Sequence, residues 1–316
     1  MNHTAATGRP RPGGEADLAG RSVARIGYGA MQLERHRRDP AAGVAVLRRA
    51  LELGVDHIDT ADFYGAGFVN DLVRRAVPAD DRTVIVSKVG AVADPGGPYP
   101  MRPAQRPAEL RAAVEDNLRS LGRESIPVVN LRRLEIGPGL AAEGDQVVDL
   151  DDQLAEMVAL RDEGKIDAIG LSAVTVETLR RALPAGIACV QNPYNLLDRR
   201  FEGALELARR EGIAWVPFFP LGSAFPGFAK VTDQPAVTAV AAEIGVSAAQ
   251  VGLAWLLGHA PGILLIPGTG SVAHLEANVA VGEVRLDERS TAALDAVGAA
   301  TITAPITPPG WPAEAR

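Results

Sequence analysis

The sequence predicts a single (β/α)8 barrel. Three observations carry that prediction: a chain of 316 residues, eight short apolar runs that each lead into a longer amphipathic one, and no GxGxxG behind the first run. A barrel of this kind needs roughly 250 residues, so one large domain with short tails accounts for the length. Strand-then-helix alternation encodes parallel strands joined by right-handed crossovers. A doubly wound open sheet shows the same alternation, but IGYGAMQ has the wrong glycine spacing for its dinucleotide fingerprint.

Residues 1–20, rich in Gly, Pro and polar side chains, are expected to form a flexible tail outside the barrel. The barrel itself is placed at 21–300. Its first unit is IGYGAM (26–31) followed by AAGVAVLRRALELG, in which Val44, Leu47, Ala50, Leu51 and Leu53 share one helical face before Gly54 stops the helix. The next units are VDHIDTA with FVNDLVRRAV, TVIVSKV with PAELRAAVEDNLRSL, and VVNLRRL with DDQLAEMVALRDEG. IDAIGLS with VTVETLRRAL and ACVQNPY with FEGALELARREG make the fifth and sixth. AWVPFFP precedes a longer helical region through SAAQVGLAWLLGHA, and LLIPGT with SVAHLEANVA completes eight. The closing stretch, 301–316, is too rich in Pro for a regular helix.

A formal charge of -7 argues against nucleic acid or an anionic membrane as partner and leaves a small molecule as the natural one. The lone Cys189 excludes an intramolecular disulfide and reads as a small buried hydrophobe. No stretch has the apolar length of a signal-peptide core or a membrane span, so the cytoplasm is the expected compartment. No histidine pair has metal-ligand spacing, and no metal site is expected; His57 reads as a packed or hydrogen-bonded core residue. The paired arginines at 48–49, 74–75, 180–181 and 209–210 fall on the outer helices as solvated faces.

In such a barrel the reaction face lies at the C-terminal ends of the strands. The polar residues there are Asp59, Tyr64, Lys88, Arg132, Ser172, Gln191 and Asn192. A lysine ending an apolar run must find an anion or lose its charge, and Asp59 is the natural anion. A phenol beside that ammonium is favoured as phenolate, so Tyr64 suits the task of protonating an oxygen that gains negative charge during hydride delivery. The same pair serves equally as a structural ion pair, and a tyrosine as a rim aromatic.

HIDTADFYG, the Lys of VIVSKVG, the tract GLS, the VQNPYN run and FFPLGS followed by LIPGT together resemble the aldo-keto reductases in order and spacing over residues 25 to 285. VVNLR, VPFFPLG and LLIPGTGSVAHL are similar to a bacterial branch that includes pyridoxal reductases. The resemblance implies a barrel that binds NADPH in extended form and reduces aldehydes or ketones. It implies Tyr64 as general acid with Asp59 and Lys88 as its tuning pair, Ser172 and Gln191 on the carboxamide, and Phe218 stacked on the nicotinamide, with Phe219 left as core. Gly29, Ala30 and Met31 would line the cofactor after the first strand. Leu221, Gly222 and Ser223 would flank the pyrophosphate, and Gly268, Thr269, Ser271, His274 and Asn278 the adenosine end. Trp311 of the closing stretch would cover the barrel opening, or else lie in a disordered tail.

Three departures from that pattern matter. Arg132 stands where the family usually has His, with Arg133 as a second register; arginine offers several donors but cannot change protonation state, which favours an anionic or hydrogen-bond-rich substrate. Ala173 replaces the Asn that normally follows the serine. Gly268, His274 and Ala277 replace the usual basic and acidic residues near adenosine, which leaves NADH open beside NADPH. The expected activity is reduction of a small aldehyde or ketone, pyridoxal-like or a natural-product carbonyl. Alcohol oxidation, or a cofactor-assisted elimination or isomerisation, would use the same residues. A cofactor-sensing subunit with little turnover is the non-enzyme alternative, and it has no use for a tuned proton donor.

Overall fold

The structure, a computed structural model, describes residues 10–97, 99–136, 140–222 and 229–301. It begins with an antiparallel hairpin of β1 (Glu15–Leu18) and β2 (Arg21–Ala24), turned through Ala19 and Gly20, both with positive φ. The barrel strands follow: β3 (Tyr28–Gly29), β4 (His57–Asp59) and β5 (Val84–Val89). A second hairpin, β6 (Ala91–Ala93) with β7 (Met101–Pro103), rises from the end of β5. Then come β8 (Ile126–Arg132), β9 (Ile166–Ser172), β10 (Ile187–Gln191) and β11 (Ala214–Trp215). The seven barrel strands pair in parallel in the order β3, β4, β5, β8, β9, β10, β11.

The eighth position is residues 263–268, which join both edges of that sheet. Ile263 bridges Trp215, Leu265 bridges Ile26, and Gly268 bridges Gly29. Gly27 N donates to Leu265 O at 2.8 Å, and Leu265 N donates to Arg25 O at 2.8 Å. The barrel is thereby closed. Pro267 lacks a ladder donor, consistent with isolated bridges where a continuous strand was expected.

The outer layer is α1 (Pro40–Glu52), α2 (Phe68–Ala76), α3 (Pro107–Leu121), α4 (Leu150–Asp162), α5 (Val176–Ala182), α6 (Glu202–Arg210), α7 (Pro235–Ile244), α8 (Ala248–His259) and α9 (Val272–Val279). In α1 the side chain of Asp39 caps the first turn, and Val44, Leu47 and Ala50 are buried, whereas Leu51 and Leu53 are only partly so. The long helical region after β11 divides at Gly245, whose φ is 72°, and Ser247 caps α8. A further helix, α10 (Glu288–Thr301), packs on α7 and was not anticipated. Among the described residues no single helix is long and apolar enough to cross a membrane.

Two cores result. One lies between strands and helices. The other fills the barrel with Val84, Val86, Val128, Cys189, Ala214, Val216, Leu264 and Ile266, and Leu18 and Val23 of the first hairpin join it. Burying each Val, Leu or Ile side chain among them contributes about 1.5–3 kcal/mol. Residues 15–20 therefore belong to the folded body and not to a tail: the hairpin plugs the N-terminal end of the barrel.

Inward-facing positions alternate along each strand. His57, one step below Asp59, is buried across from Gly27, where an added Cβ would come within 2.2 Å of its Nε2; neither ring nitrogen has a hydrogen-bond partner among the described residues, although Nδ1 lies 4.0 Å from Asp56 Oδ1. It is packed, not hydrogen-bonded. Asn130 sits over Gly170 in the same way and accepts from Cys189 Sγ at 3.2 Å. Burial, with Asp59 adding to it, pushes the Cys189 thiol up to about 12, as befits a buried structural thiol. Apolar layers thus end at the C-terminal mouth, where the next inward positions are Asp59, Lys88, Arg132, Ser172 and Gln191.

Candidate active site

Asp59 ends β4, and the chain then turns sharply. Tyr64 N donates to Ala61 O at 3.1 Å, and Gly65, Ala66 and Gly67 all take positive φ before α2 begins. Beneath that turn lies a buried polar network. Thr60 Oγ1 donates to Asn70, Asn70 donates to Asn117 and Ser120, and Ser87 donates to Asn117. It fastens the turn to α2, α3 and β5. Asp62 faces the same network, accepting from Ser120 Oγ at 2.7 Å, and burial raises its carboxyl above the ordinary range.

Lys88 Nζ lies 2.5 Å from Asp59 Oδ1, donates to Thr60 O at 2.9 Å, and stands 5.0 Å from the centroid of the Tyr64 ring. Lys88 and Asp59 are each 4% exposed. Burial works against the ammonium, but Asp59 and then Tyr64 outweigh it, and the lysine pKa is raised. Gln191 Nε2 donates to Asp59 Oδ2 at 2.5 Å. Both carboxylate oxygens are therefore engaged. The tyrosine is held edge-to-face by Phe63, with ring centroids 5.1 Å apart.

Arg132 closes β8 in register with Ser172 of β9. Burial lowers its pKa, while Tyr64 and then Asp59 favour the cation; an arginine stays charged against such a shift. The alternative register does not reach the mouth, because Arg133 is committed to Glu135 and Gln153. After Ser172, Ala173 adopts φ 55°, a conformation that suits Asn and strains Ala. Its N–H donates to Gln191 O, and the Asn192 amide clamps both backbone groups of Val174, so Asn192 is a positioning residue for this loop.

Phe218 follows β11, bridged to Pro193. Its ring is half-buried and meets Phe219 edge-to-face at 5.0 Å. Phe219, read from sequence as core, is also only half-buried and takes φ 55°. Leu221 packs partly against the core, Gly222 has φ 89°, and Ser223 lies outside the described residues, as does Trp311.

Gly29 and Gly268 face one another across the closing seam. A Cβ on Gly29 would come within 2.5 Å of Ile266 O, and one on Gly268 within 2.9 Å of Gly29 O. The missing base at 268 thus has a packing cause. Ala30 is buried beside them, and Met31 is exposed at the edge of the mouth. Thr269 O accepts from the Tyr28 hydroxyl, Thr269 Oγ1 accepts from Ser271 N, and Ser271 caps α9, whose His274 is exposed and Asn278 half-buried.

Two residues near this loop escaped sequence reasoning. His36 Nε2 donates to Gly270 O at 2.9 Å, and a Cβ on Gly270 would come within 2.8 Å of Arg35 Cδ. Both come from the 3-10 helical stretch Ala30–Arg38, where the basic cluster at 35–38 was the only signal. Asp59, Lys88, Tyr64 and Gln191 are thus in one cluster, with Arg132 and Ser172 in the same layer. The eighth loop forms a second group at the seam with the first strand.

The Aldo/keto reductase family model matches residues 25–299. Pyridoxine 4-dehydrogenase of Escherichia coli is 43% identical over 288 residues, covering 89% of this chain and 96% of the relative. An uncharacterized oxidoreductase of Schizosaccharomyces pombe is 34% identical, covering 87% of each chain. Among solved structures, an aldo-keto reductase from Klebsiella pneumoniae in complex with NADPH superposes with a TM-score of 0.75 at 25% identity, covering 93% of this chain and 98% of that one. An aldo/keto reductase of the same organism with NADP and acetate gives 0.74 at 26% identity, covering 90% and 94%. The chain belongs to the aldo/keto reductase family.

Proposed function

We propose that this protein reduces the carbonyl of a small aldehyde of the pyridoxal type with NADPH, and that Tyr64 supplies the proton. The observation that carries the reading is the buried Asp59–Lys88 pair set against the Tyr64 ring, with Gln191 holding the second carboxylate oxygen. Asp59 keeps Lys88 charged and fixed. The ammonium then faces the negative charge left on the phenol oxygen as its proton departs. Arg132, in the same layer, offers donors to the carbonyl oxygen while Tyr64 protonates it.

The residues at the mouth suit a nicotinamide dinucleotide. Phe218 presents a half-buried ring, Thr269 and Ser271 bring hydroxyls, the first turn of α9 offers backbone N–H groups, and the stem of the Arg35 side chain passes beside Gly270. Bound there, the reduced cofactor supplies hydride to the carbonyl carbon. Relatives named for pyridoxine 4-dehydrogenase and for NADPH support both substrate type and cofactor. The first of those names also favours a second reading, oxidation of the corresponding alcohol, which the same residues perform in reverse.

The test is to follow nicotinamide absorbance with a panel of aldehydes and NADPH, then NADH. Aldehyde-dependent consumption with pyridoxal among the good substrates supports the reading. Cofactor binding without consumption of any carbonyl, and without the reverse oxidation, removes it.

A further inference from the structure

Arg132 is a cation at the barrel mouth that no carboxylate contacts among the described residues. Its Nε is buried without a partner, and among the described residues no ion pair or hydrogen bond reaches its guanidinium. The contrast with its neighbour is plain, since Arg133 meets Glu135 and Gln153. Asp59 favours the cation electrostatically but makes no ion pair with it, since Lys88 and Gln191 hold its two carboxylate oxygens. Asp59 and Lys88 cancel, so the cluster carries one surplus positive charge. Arg132 as a whole is only half-buried, with Nε its one buried unpartnered nitrogen; an oxyanion at its open terminal nitrogens complements the charge where a neutral carbonyl does not.

We propose that Arg132 reads a second substrate oxygen: an ionised hydroxyl on the ring carbon next to the one that bears the aldehyde, as in a 3-hydroxypyridine-4-carbaldehyde. This rests on the reductase reading above. A guanidinium presents two parallel N–H groups, and an aldehyde oxygen coplanar with a neighbouring oxyanion presents two acceptors at matching spacing. The hydroxyl is thus a recognition element, distinct from the reacting group.

The step then balances in charge. Hydride from a bound reduced nicotinamide, which would be oxidised as its C–H bond breaks, adds to the carbonyl carbon, the C=O π pair moves to oxygen, and the Tyr64 O–H bond breaks to protonate it. The neighbouring oxyanion keeps its charge throughout, and the Tyr64 phenolate regains a proton from water. Two adjacent oxygens are both negative on the way, and the fixed charge of Arg132 offsets their repulsion. A neutral imidazole at that position would bring one donor and no charge. An ionised ortho oxygen also makes an aldehyde less electrophilic, so any preference for such substrates has to come from the protein.

The test compares kcat/KM for 3-hydroxypyridine-4-carbaldehyde, its 3-methoxy ether and pyridine-4-carbaldehyde, in the wild type, Arg132→Met and Arg132→Lys, across pH. The wild type is expected to favour the hydroxyl compound over the ether by about tenfold or more, as loss of a charged hydrogen-bond partner requires, with the preference growing as the hydroxyl ionises. Arg132→Met should bring the ratio to one or below whatever its absolute rates, and Arg132→Lys should keep part of the preference. Should the Met variant not fold, the wild-type ratio against pH and the Lys variant decide. Turnover of all three without preference, or a ratio unchanged in Arg132→Met, overturns the assignment to Arg132 alone. No turnover of any of the three, nor of pyridoxal, overturns the reductase reading with it.

Discussion

An Asp59→Asn variant keeps the shape of the side chain and removes its charge, so Lys88 becomes a cation only 4% exposed, facing Thr60 O and a neutral amide. Taking one partner from a buried ion pair costs about 3–5 kcal/mol, because the remaining charge stays desolvated. For a chain of this length that corresponds to roughly 5–10 °C in Tm. The sign of its pH dependence follows from Lys88. In the wild type its pKa is raised, so its contribution to stability is complete below the unfolded value of ~10.4 and is lost only as pH climbs through the higher folded one. In the variant, burial acts without Asp59 to oppose it and depresses that pKa. The penalty is then full at neutral pH and shrinks as pH rises toward ~10.4, where the unfolded chain also sheds the proton. Urea unfolding of both proteins, followed by circular dichroism near neutral pH and again at high pH, measures this. A deficit under about 1 kcal/mol at neutral pH, the range of an exposed pair, or one that widens with pH, would refute the reasoning.

Three further outcomes follow from other parts of the molecule. Gly29→Ala puts a methyl within 2.5 Å of Ile266 O at the closing seam and is expected to cost about 1–3 kcal/mol, read by the same unfolding assay. Leu18→Ala opens a cavity under the barrel core and should cost about 2–5 kcal/mol while leaving KM for aldehyde and cofactor unchanged, since the plug lies at the opposite end from the mouth. Arg35→Ala removes a cation whose stem passes beside Gly270 and is expected to weaken NADPH about tenfold relative to NADH, measured by titrating nicotinamide fluorescence; equal loss for both cofactors would deny it a role at the 2′-phosphate.

The barrel was legible because its pattern is local: each apolar run and each amphipathic helix announces itself within a dozen residues. The hairpin at 15–24 was not, since two four-residue strands among Gly and Pro carry no period long enough to read, and only their burial under the barrel makes them structure. The antiparallel β6–β7 pair was missed for the same reason. At the mouth, Asp59, Tyr64 and Lys88 stood out as polar residues ending apolar runs. The Gln191 contact with Asp59 spans 132 positions and depends on barrel closure, so no sequence signal foretells it. Arg35 came from a 3-10 stretch without periodicity, and its place beside Gly270 is set by the seam between the first and last strands. The glycine at 268, read as the loss of a cofactor contact, is explained by how tightly that seam packs.

A proton donated by Tyr64 is the claim on which the reading of the site turns, and Tyr64→Phe tests it by deleting one oxygen. Aldehyde reduction should fall by about 10²–10⁴ in kcat while the Kd for NADPH, from nicotinamide fluorescence, stays within about twofold. A variant that binds cofactor normally and still turns over at a rate close to the wild type would contradict it.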